Sequence, residues 1–445
     1  LACAAAMSPV FAVEVEPGLR SEAESNGSVG TLIVLQAKAP KQLLSPEGNY
    51  LERRRELVSM LRATAEVTQA DLRNWLDAQG IAYRPFWIVN MVEADLTAAQ
   101  IDALAARGDI ARIEANREIA LQRPALGPWP DASSDGASAH APQAIEWGVN
   151  KVRAPLVWAE GFNGQGVVVA GQDTGIRWTH NAIKAKYRGW NGITADHNYN
   201  WHDAIHETGS SCGANSLVPC DDHSHGSHTV GTMVGDDGGS NQVGVAPGAK
   251  WIGCRNMNAG VGTPARYNEC AEWFLAPTDL NGQNPDPDRA PDVINNSWGC
   301  PADEGCTAGN EVRQAIENLV AGGIVFVASA GNDGSSCQTI FSQPGTLDAA
   351  FVVGSMTSSD TMSGFSSRGP VPGLGEVKPD VIAPGSSVRS ITNSGDNSYT
   401  SMSGTSMAGP HVAGVVALMM SVDQSLKGDP ARVEQILRET SADNL

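Results

Sequence analysis

Four short stretches of this chain carry residue types that do chemistry in concert. Ser406 stands in Gly404-Thr405-Ser406-Met407-Ala408-Gly409-Pro410-His411, just ahead of the apolar run VAGVVALMM. Glycine before a serine at a helix start lets a carbonyl group approach the backbone closely. The helix N-terminus adds unpaired N–H groups and a dipole that favours an anion. A serine there is also an ordinary helix cap. His225 lies in Asp222-His223-Ser224-His225-Gly226-Ser227-His228-Thr229. His225 and His228, three apart, would share a helix face, so a general base, a metal site and a polar helix start are all open; the HExxH zinc pattern is absent. Asp173 follows the apolar run GVVVAG in Gln172-Asp173-Thr174-Gly175. Functional groups in parallel sheets gather at the carboxyl ends of strands, although an aspartate there also caps turns. Asn332, in Ser329-Ala330-Gly331-Asn332-Asp333-Gly334, follows the run GIVFVA. Its amide can donate to a developing oxyanion, or the residue simply adopts a left-handed turn.

Each stretch has a bland reading by itself. Jointly they supply a nucleophile, a base, an orienting carboxylate and an oxyanion donor, the set that acyl transfer through serine needs. The motifs, their order Asp…His…Ser and their spacing resemble the subtilisin family over roughly residues 145–440. The resemblance implies Ser406 as nucleophile, His225 as base, Asp173 as the carboxylate that orients it, and Asn332 as oxyanion donor. Ser227 stands where threonine is common in the histidine motif. It also implies two substrate-binding strands that pair with an extended peptide, Gly260, Val261 and Gly262 on one side and Ser297, Trp298 and Gly299 on the other. Ser329, Ala330 and Gly331 would form a wall of the pocket for the residue before the scissile bond. Its base would lie near Ser342, with an apolar residue expected there. The stretches WHDAI (201–205) and DLNG (279–282) resemble bacillopeptidase F-like members. The chemistry needs no cofactor. The family's calcium loop is replaced by Asp236-Asp237-Gly238-Gly239-Ser240-Asn241. Carboxylates and carbonyls there could hold a structural Ca²⁺, a solvated turn is equally open, and no metal ligand is assigned.

These residues need a scaffold that brings strand ends together. From residue 144 onward short apolar runs at 166–171, 251–254, 292–295 and 323–328 read as strands buried on both faces of a parallel sheet. Helices are expected over 227–235, 265–275, 311–321 and 406–421. The fold class is therefore α/β, a doubly covered, mainly parallel sheet over residues 144–445. Ahead of it, residues 29–122 show strand, long helix (about 50–79), two strands, helix (starting at Thr97) and strand. That β-α-β-β-α-β order predicts a small α+β ferredoxin-like domain. By position and element order it resembles the family's inhibitory propeptide, whose tail, Ile113 to Gln122, would lie in the cleft. Residues 123–143, rich in Pro, Ala, Ser, Gly and Asp, read as a linker containing the processing region. Residues 1–12 read as the remnant of a secretion signal, with a lipoprotein acylated at Cys3 as the alternative.

The bulk numbers agree with an exported, two-unit globular chain. It has 445 residues, 41% hydrophobic and 18% charged, and a net charge of −19. Nothing offsets phosphate repulsion, which argues against nucleic-acid binding. The run Arg53-Arg54-Arg55, between two glutamates, reads as a solvated helix face. Apart from the leader, no apolar run reaches the ~18 residues that span a membrane. Eight cysteines suit an oxidising compartment. Cys212/Cys220, Cys300/Cys306 and Cys254/Cys270 are one assignment among several, with Cys337 left over. The expectation is a secreted, monomeric serine endopeptidase precursor that acts on polypeptides and is inhibited by its own propeptide. Two rivals stand against it: a triad-bearing binding protein kept inactive by its N-terminal unit, and a histidine-cluster metallohydrolase.

Overall fold

The alternation of apolar runs and helical stretches after residue 144 builds one seven-stranded sheet. In the computed structural model, which describes residues 12–43, 48–121, 145–301, 311–374 and 377–442, its strands run in the order Val381–Pro384, Phe351–Met356, Val325–Ser329, Val293–Asn296, Val168–Asp173, Lys250–Arg255 and Trp201–Asp203. Every neighbouring pair is parallel. All side chains of Val293–Asn296, Val325–Ser329 and Phe351–Met356 are buried, so both faces of the sheet centre are covered. The helix His225–Val234 packs with Thr405–Val422, and Pro264–Leu275 packs with Glu311–Ala321. The doubly covered α/β expectation holds. Trp201–Asp203, Phe351–Met356 and Val381–Pro384 are strands that the apolar runs did not single out.

Three expected site segments meet because three adjacent strands end side by side. Val168–Asp173 ends on Asp173, Val293–Asn296 leads into Ser297, and Val325–Ser329 leads to Asn332. The middle strand pairs with both others, Asn296 lying opposite Gln172 on one side and Ala328 on the other.

Contacts divide the chain into two units, residues 1–44 with 59–117 and residues 45–58 with 118–445. The first contains a five-stranded sheet in the order Glu14–Val15, Ile110–Ala115, Val29–Leu35, Met91–Leu96, Tyr83–Phe86. Its core joins Ile33, Val92 and Ile113 from the sheet with Leu72, Leu76, Ile101 and Leu104 from helices. The β-α-β-β-α-β order is present, but the unit begins before residue 29, with the strand Glu14–Val15 and the helix Leu19–Asn26. The long helix is two, Tyr50–Thr68 and Ala70–Gln79, parted at buried Gln69, whose amide donates to the Phe86 carbonyl at 2.8 Å. Thr97 starts the helix Ala98–Ala105 through a reciprocal cap with Gln100.

Two readings are corrected here, and two of the three cysteine pairings are found. Arg54 is buried, not solvated: its Nε donates to the Gly322 carbonyl at 2.6 Å. A charge run shows no sign of the carbonyls that will face it. Thr405–Val422 spans 18 residues and is apolar enough to cross a membrane by composition, yet it is buried within the protein. Cys212–Cys220 and Cys254–Cys270 are disulfides, Cys300 is also bonded, and Cys337 is free and exposed. The leader residues 1–11, the linker 123–143, Gln122 and Cys306 lie outside the described residues.

Candidate active site

Asp173 is fixed first. It sits at a strand end, 1% exposed, and its Oδ1 accepts the N–H of Thr174 at 2.7 Å. Both carboxylate oxygens meet His225 Nδ1, at 2.8 and 3.0 Å. A carboxylate on Nδ1 holds that nitrogen as the donor and turns Nε2 outward as the acceptor, the tautomer a general base needs. His225 opens the helix His225–Val234, and Gly226 allows the close approach: a Cβ there would lie 2.2 Å from the Gly175 carbonyl oxygen.

What aims the histidine helix is Asp221, a residue the motif reading passed over. Its Oδ1 accepts the N–H groups of His223 and Ser224, both at 2.9 Å, and its Oδ2 accepts the N–H of Ser227 at 3.0 Å. The Thr174 hydroxyl donates to Asp221 at 3.0 Å and accepts from the Gly226 N–H at 3.0 Å. Burial raises the Asp221 carboxyl above the ordinary aspartate range, against the donors that surround it. Asp221 thus caps the helix from four residues before it and links it to the residue after Asp173.

His228, three residues on, separates from the site. His228 is fully buried, with Nε2 3.0 Å from the Val388 carbonyl oxygen, and burial together with the charge of His225 pushes its imidazole down to about 3. It is a neutral strut. His225 and His228 therefore do not converge on a shared ligand, and among the described residues no group of three His, Cys, Asp or Glu is placed to hold a metal ion.

Ser406 is the second residue of the helix Thr405–Val422 and is 5% exposed. Its hydroxyl donates to the Ser297 carbonyl at 3.2 Å. Pro410, four residues on, has no N–H for the Ser406 carbonyl. The Ser297 hydroxyl fills that role at 2.9 Å and is itself held by the Asn295 amide at 2.9 Å. Asn332 is oriented by the same helix: its Oδ1 accepts the Thr405 N–H at 2.9 Å, with the Thr405 hydroxyl at 3.1 Å. With Oδ1 so engaged, the amide is fixed with Nδ2 on its other side.

Ser406 and Asn332 line one pocket with Ser297, Trp298, Gly299, Ser329, Gly331, Ser342, Gln343 and Leu121. Ala330 adjoins that wall, its N–H bonded to the Val353 carbonyl. Trp298 stacks on Tyr267, ring centres 3.9 Å apart. Gly262 is needed because a Cβ there would meet the Tyr267 hydroxyl oxygen at 2.4 Å. Along this edge Ile119–Ala120 pairs antiparallel with Val261–Gly262, and the Leu121 N–H donates to the Gly260 carbonyl at 2.8 Å. The strand Val261–Gly262 thus carries an added strand from the chain itself, the pairing mode by which extended peptides are held.

Buried Arg255 braces this edge. Its guanidinium pairs with Asp203 and Asp222, and Asp222 accepts the Ala259 N–H at 3.0 Å. The loop 236–241 uses its acids differently. Asp237 accepts the Gly239 N–H at 2.9 Å, the Asn241 N–H at 3.1 Å and the Asn241 amide at 2.6 Å, while Arg389 donates to the Asn241 Oδ1 at 2.7 Å and to Glu146 at 2.9 Å. Both Asp237 oxygens thus accept donors from within the loop, and a guanidinium holds the Asn241 side-chain oxygen.

Residues 164–445 match the Subtilase family. The chain belongs to the subtilase family of serine endopeptidases. It is 34% identical over 416 residues to bacillopeptidase F of Bacillus subtilis (strain 168), an alignment covering 91% of this chain and 28% of that protein. Subtilisin DY of Bacillus licheniformis is 34% identical over 292 residues, 65% of this chain and 89% of that protein. The major intracellular serine protease of Bacillus subtilis (strain 168) is 29% identical over 279 residues, 62% of this chain and 75% of that protein. The chain thus spans little more than a quarter of bacillopeptidase F.

Proposed function

We propose that this chain is the precursor of a secreted serine endopeptidase. Ser406 attacks a peptide carbonyl, His225 takes its proton, and Asp173 steadies the imidazolium that forms. Asn332 and the Ser406 backbone N–H hold the oxyanion. His225 then protonates the leaving amine, and water activated by the same imidazole releases the acyl group. Before attack the Ser406 hydroxyl turns from the Ser297 carbonyl toward His225; such bonds are often unmade before substrate arrives. The observation that carries the reading is the grip of both Asp173 oxygens on His225 Nδ1.

The segment 119–121 lies along Gly260–Gly262 as a peptide substrate would. We read the N-terminal region as an intramolecular inhibitor, removed by self-cleavage in the stretch that follows. The loop 236–241 is closed by Arg389, and the activity is expected to need no calcium at that loop.

A fluorophosphonate probe tests the assignment. The processed wild type should be labelled on Ser406 and the Ser406→Ala chain should not. An unlabelled wild type, or equal labelling of both, would sink it.

A further inference from the structure

The stretch WHDAI (201–205) and the residues that follow it build a cluster that the proteolytic mechanism leaves unused. His202 and His206 both turn Nε2 to the carboxylate of Glu269, on the helix Pro264–Leu275. His202 meets Oε1 at 2.8 Å, and His206 meets Oε2 at 2.8 Å and Oε1 at 3.1 Å. The other ring nitrogen of His206, Nδ1, lies 2.5 Å from Asn215 Oδ1. An oxygen acceptor at each nitrogen calls for a proton on each, which makes the ring an imidazolium. The Glu269 carboxylate favours that charge. His202 is fixed in a second way, its ring stacking on Trp273 of the same helix with centres 5.8 Å apart.

The residue next to His206 holds the edge proposed to pair with substrate. Glu207 accepts from Arg266 Nη2 at 2.5 Å and from Asn258 Nδ2 at 3.1 Å. Arg266 Nη1 in turn donates to the Val261 carbonyl at 3.1 Å. Glu207 thereby ties both arms of the hairpin formed by Met257–Asn258 and Val261–Gly262. The helix that carries Arg266 and Glu269 is fixed independently, because Cys270 is bonded to Cys254 of the seven-stranded sheet. What His206 sets is therefore the position of Glu207 against that helix. The charged groups of this network are Glu269 and Arg266 on the helix, Asp203 and Glu207 beside the histidines, and Arg255 on the strand Lys250–Arg255. Arg255 pairs with Asp203 and donates to the Ser210 hydroxyl at 2.7 Å and the Gly213 carbonyl at 3.2 Å. Among these groups the two imidazoles are the ones whose ordinary titration falls near neutrality.

Resting on the proteolytic reading above, we propose that His206 is a proton-dependent positioning residue for the substrate edge. Protonated, it spans Glu269 and Asn215 and holds Glu207 where it grips Arg266 and Asn258. On losing its proton the ring keeps one of the two partners, and the grip on the hairpin slackens. Substrate affinity then falls as the pH rises, whereas His225, which must be neutral to act as a base, gains. The two trends confine efficient proteolysis to a band around neutrality.

The test uses the self-processed full chain and an uncharged, capped peptide with a chromogenic leaving amine, so that the substrate does not titrate. KM should rise about fivefold from pH 6 to pH 9, the lower end of the coupling found between linked sites. Over the same range kcat should rise as His225 loses its proton. His206→Gln should give a KM as high as that of the wild type at pH 9, and level with pH. His206→Arg, which keeps a charge throughout, should hold KM low at pH 9. A wild-type KM that ignores pH, as a reversed Asn215 amide beside a neutral ring would give, overturns this inference, and so does an equal rise in all three chains. Either result leaves the proteolytic reading standing. A processed chain that neither cleaves the peptide nor takes the fluorophosphonate label overturns both.

Discussion

Ser297 and Ser406 exchange hydrogen bonds: the Ser297 hydroxyl donates to the Ser406 carbonyl at 2.9 Å, and the Ser406 hydroxyl donates to the Ser297 carbonyl at 3.2 Å. The segment that follows Val293–Asn296 and the helix Thr405–Val422 are thereby positioned by each other. Pro410 makes the first bond necessary, since it leaves the Ser406 carbonyl without its intrahelical donor. Replacing Ser297 by alanine strands that buried carbonyl, and the expected loss is about 1–3 kcal/mol of stability. Urea unfolding of Ser406→Ala chains with and without S297A measures it. An unchanged midpoint would show that the bond from the Ser297 hydroxyl to the Ser406 carbonyl carries no weight.

Asn332 and Thr405 form a second test. N332A should lower kcat by about 10²–10³ with little change in KM, because an oxyanion donor acts in the transition state. T405V removes the hydroxyl near Oδ1 but keeps the backbone donor, so kcat should fall by about tenfold or less, in line with one neutral hydrogen bond. A T405V loss as large as that of N332A would contradict the view that the Thr405 N–H is the principal anchor.

Two buried imidazoles make stability depend on pH. Burial pushes His228 down to about 3 and His411 down to about 4, from the ordinary 6.5. Below 6.5 the unfolded chain binds protons there that the folded chain refuses, so stability falls as the pH drops from 6.5 toward 4. Each group contributes a slope of about 1.4 kcal/mol per pH unit. Asp221, raised by burial, acts in the opposite sense above the ordinary aspartate value, adding stability as the pH falls. His228→Gln in the Ser406→Ala background should therefore flatten the dependence between pH 6 and pH 5. Equal slopes with and without the substitution would rule out a neutral buried His228.

Arg255 is the third structural test. It is 0% exposed and pairs with Asp203 and Asp222. Arg255→Ala leaves two buried carboxylates uncompensated, for an expected cost of about 3–5 kcal/mol. Thermal unfolding should show a large drop, and KM should rise as the Asp222 link to Ala259 loosens. A variant with wild-type stability would mean that both acids find other partners.

The residues proposed to carry the chemistry could be picked out because each sits in a short local motif: Gly404 to Pro410 carries its own helix start, and Gln172-Asp173 its own strand end. The residues that aim them were not. Asp221 acts on N–H groups two to six residues away, but nothing in Asp222-His223 marks its neighbour as a cap. Arg255 joins segments brought together only by the sheet. Phe351–Met356 and Val381–Pro384 escaped notice although both are strands of the sheet, and the latter ends in proline. Pro384 is tolerable on the outermost strand, where one side needs no ladder partner. Arg54 shows the same limit from the other side, since a basic run looks solvated until the carbonyls above it are known.

The helix that carries Ser406 on its first turn is also deeply embedded in the core, with fifteen of its eighteen residues buried. It has no freedom to melt locally while the rest stays native. The decay of proteolytic activity on heating should therefore run at the rate of global unfolding, which makes a simple activity half-life a clock for the loss of the whole domain.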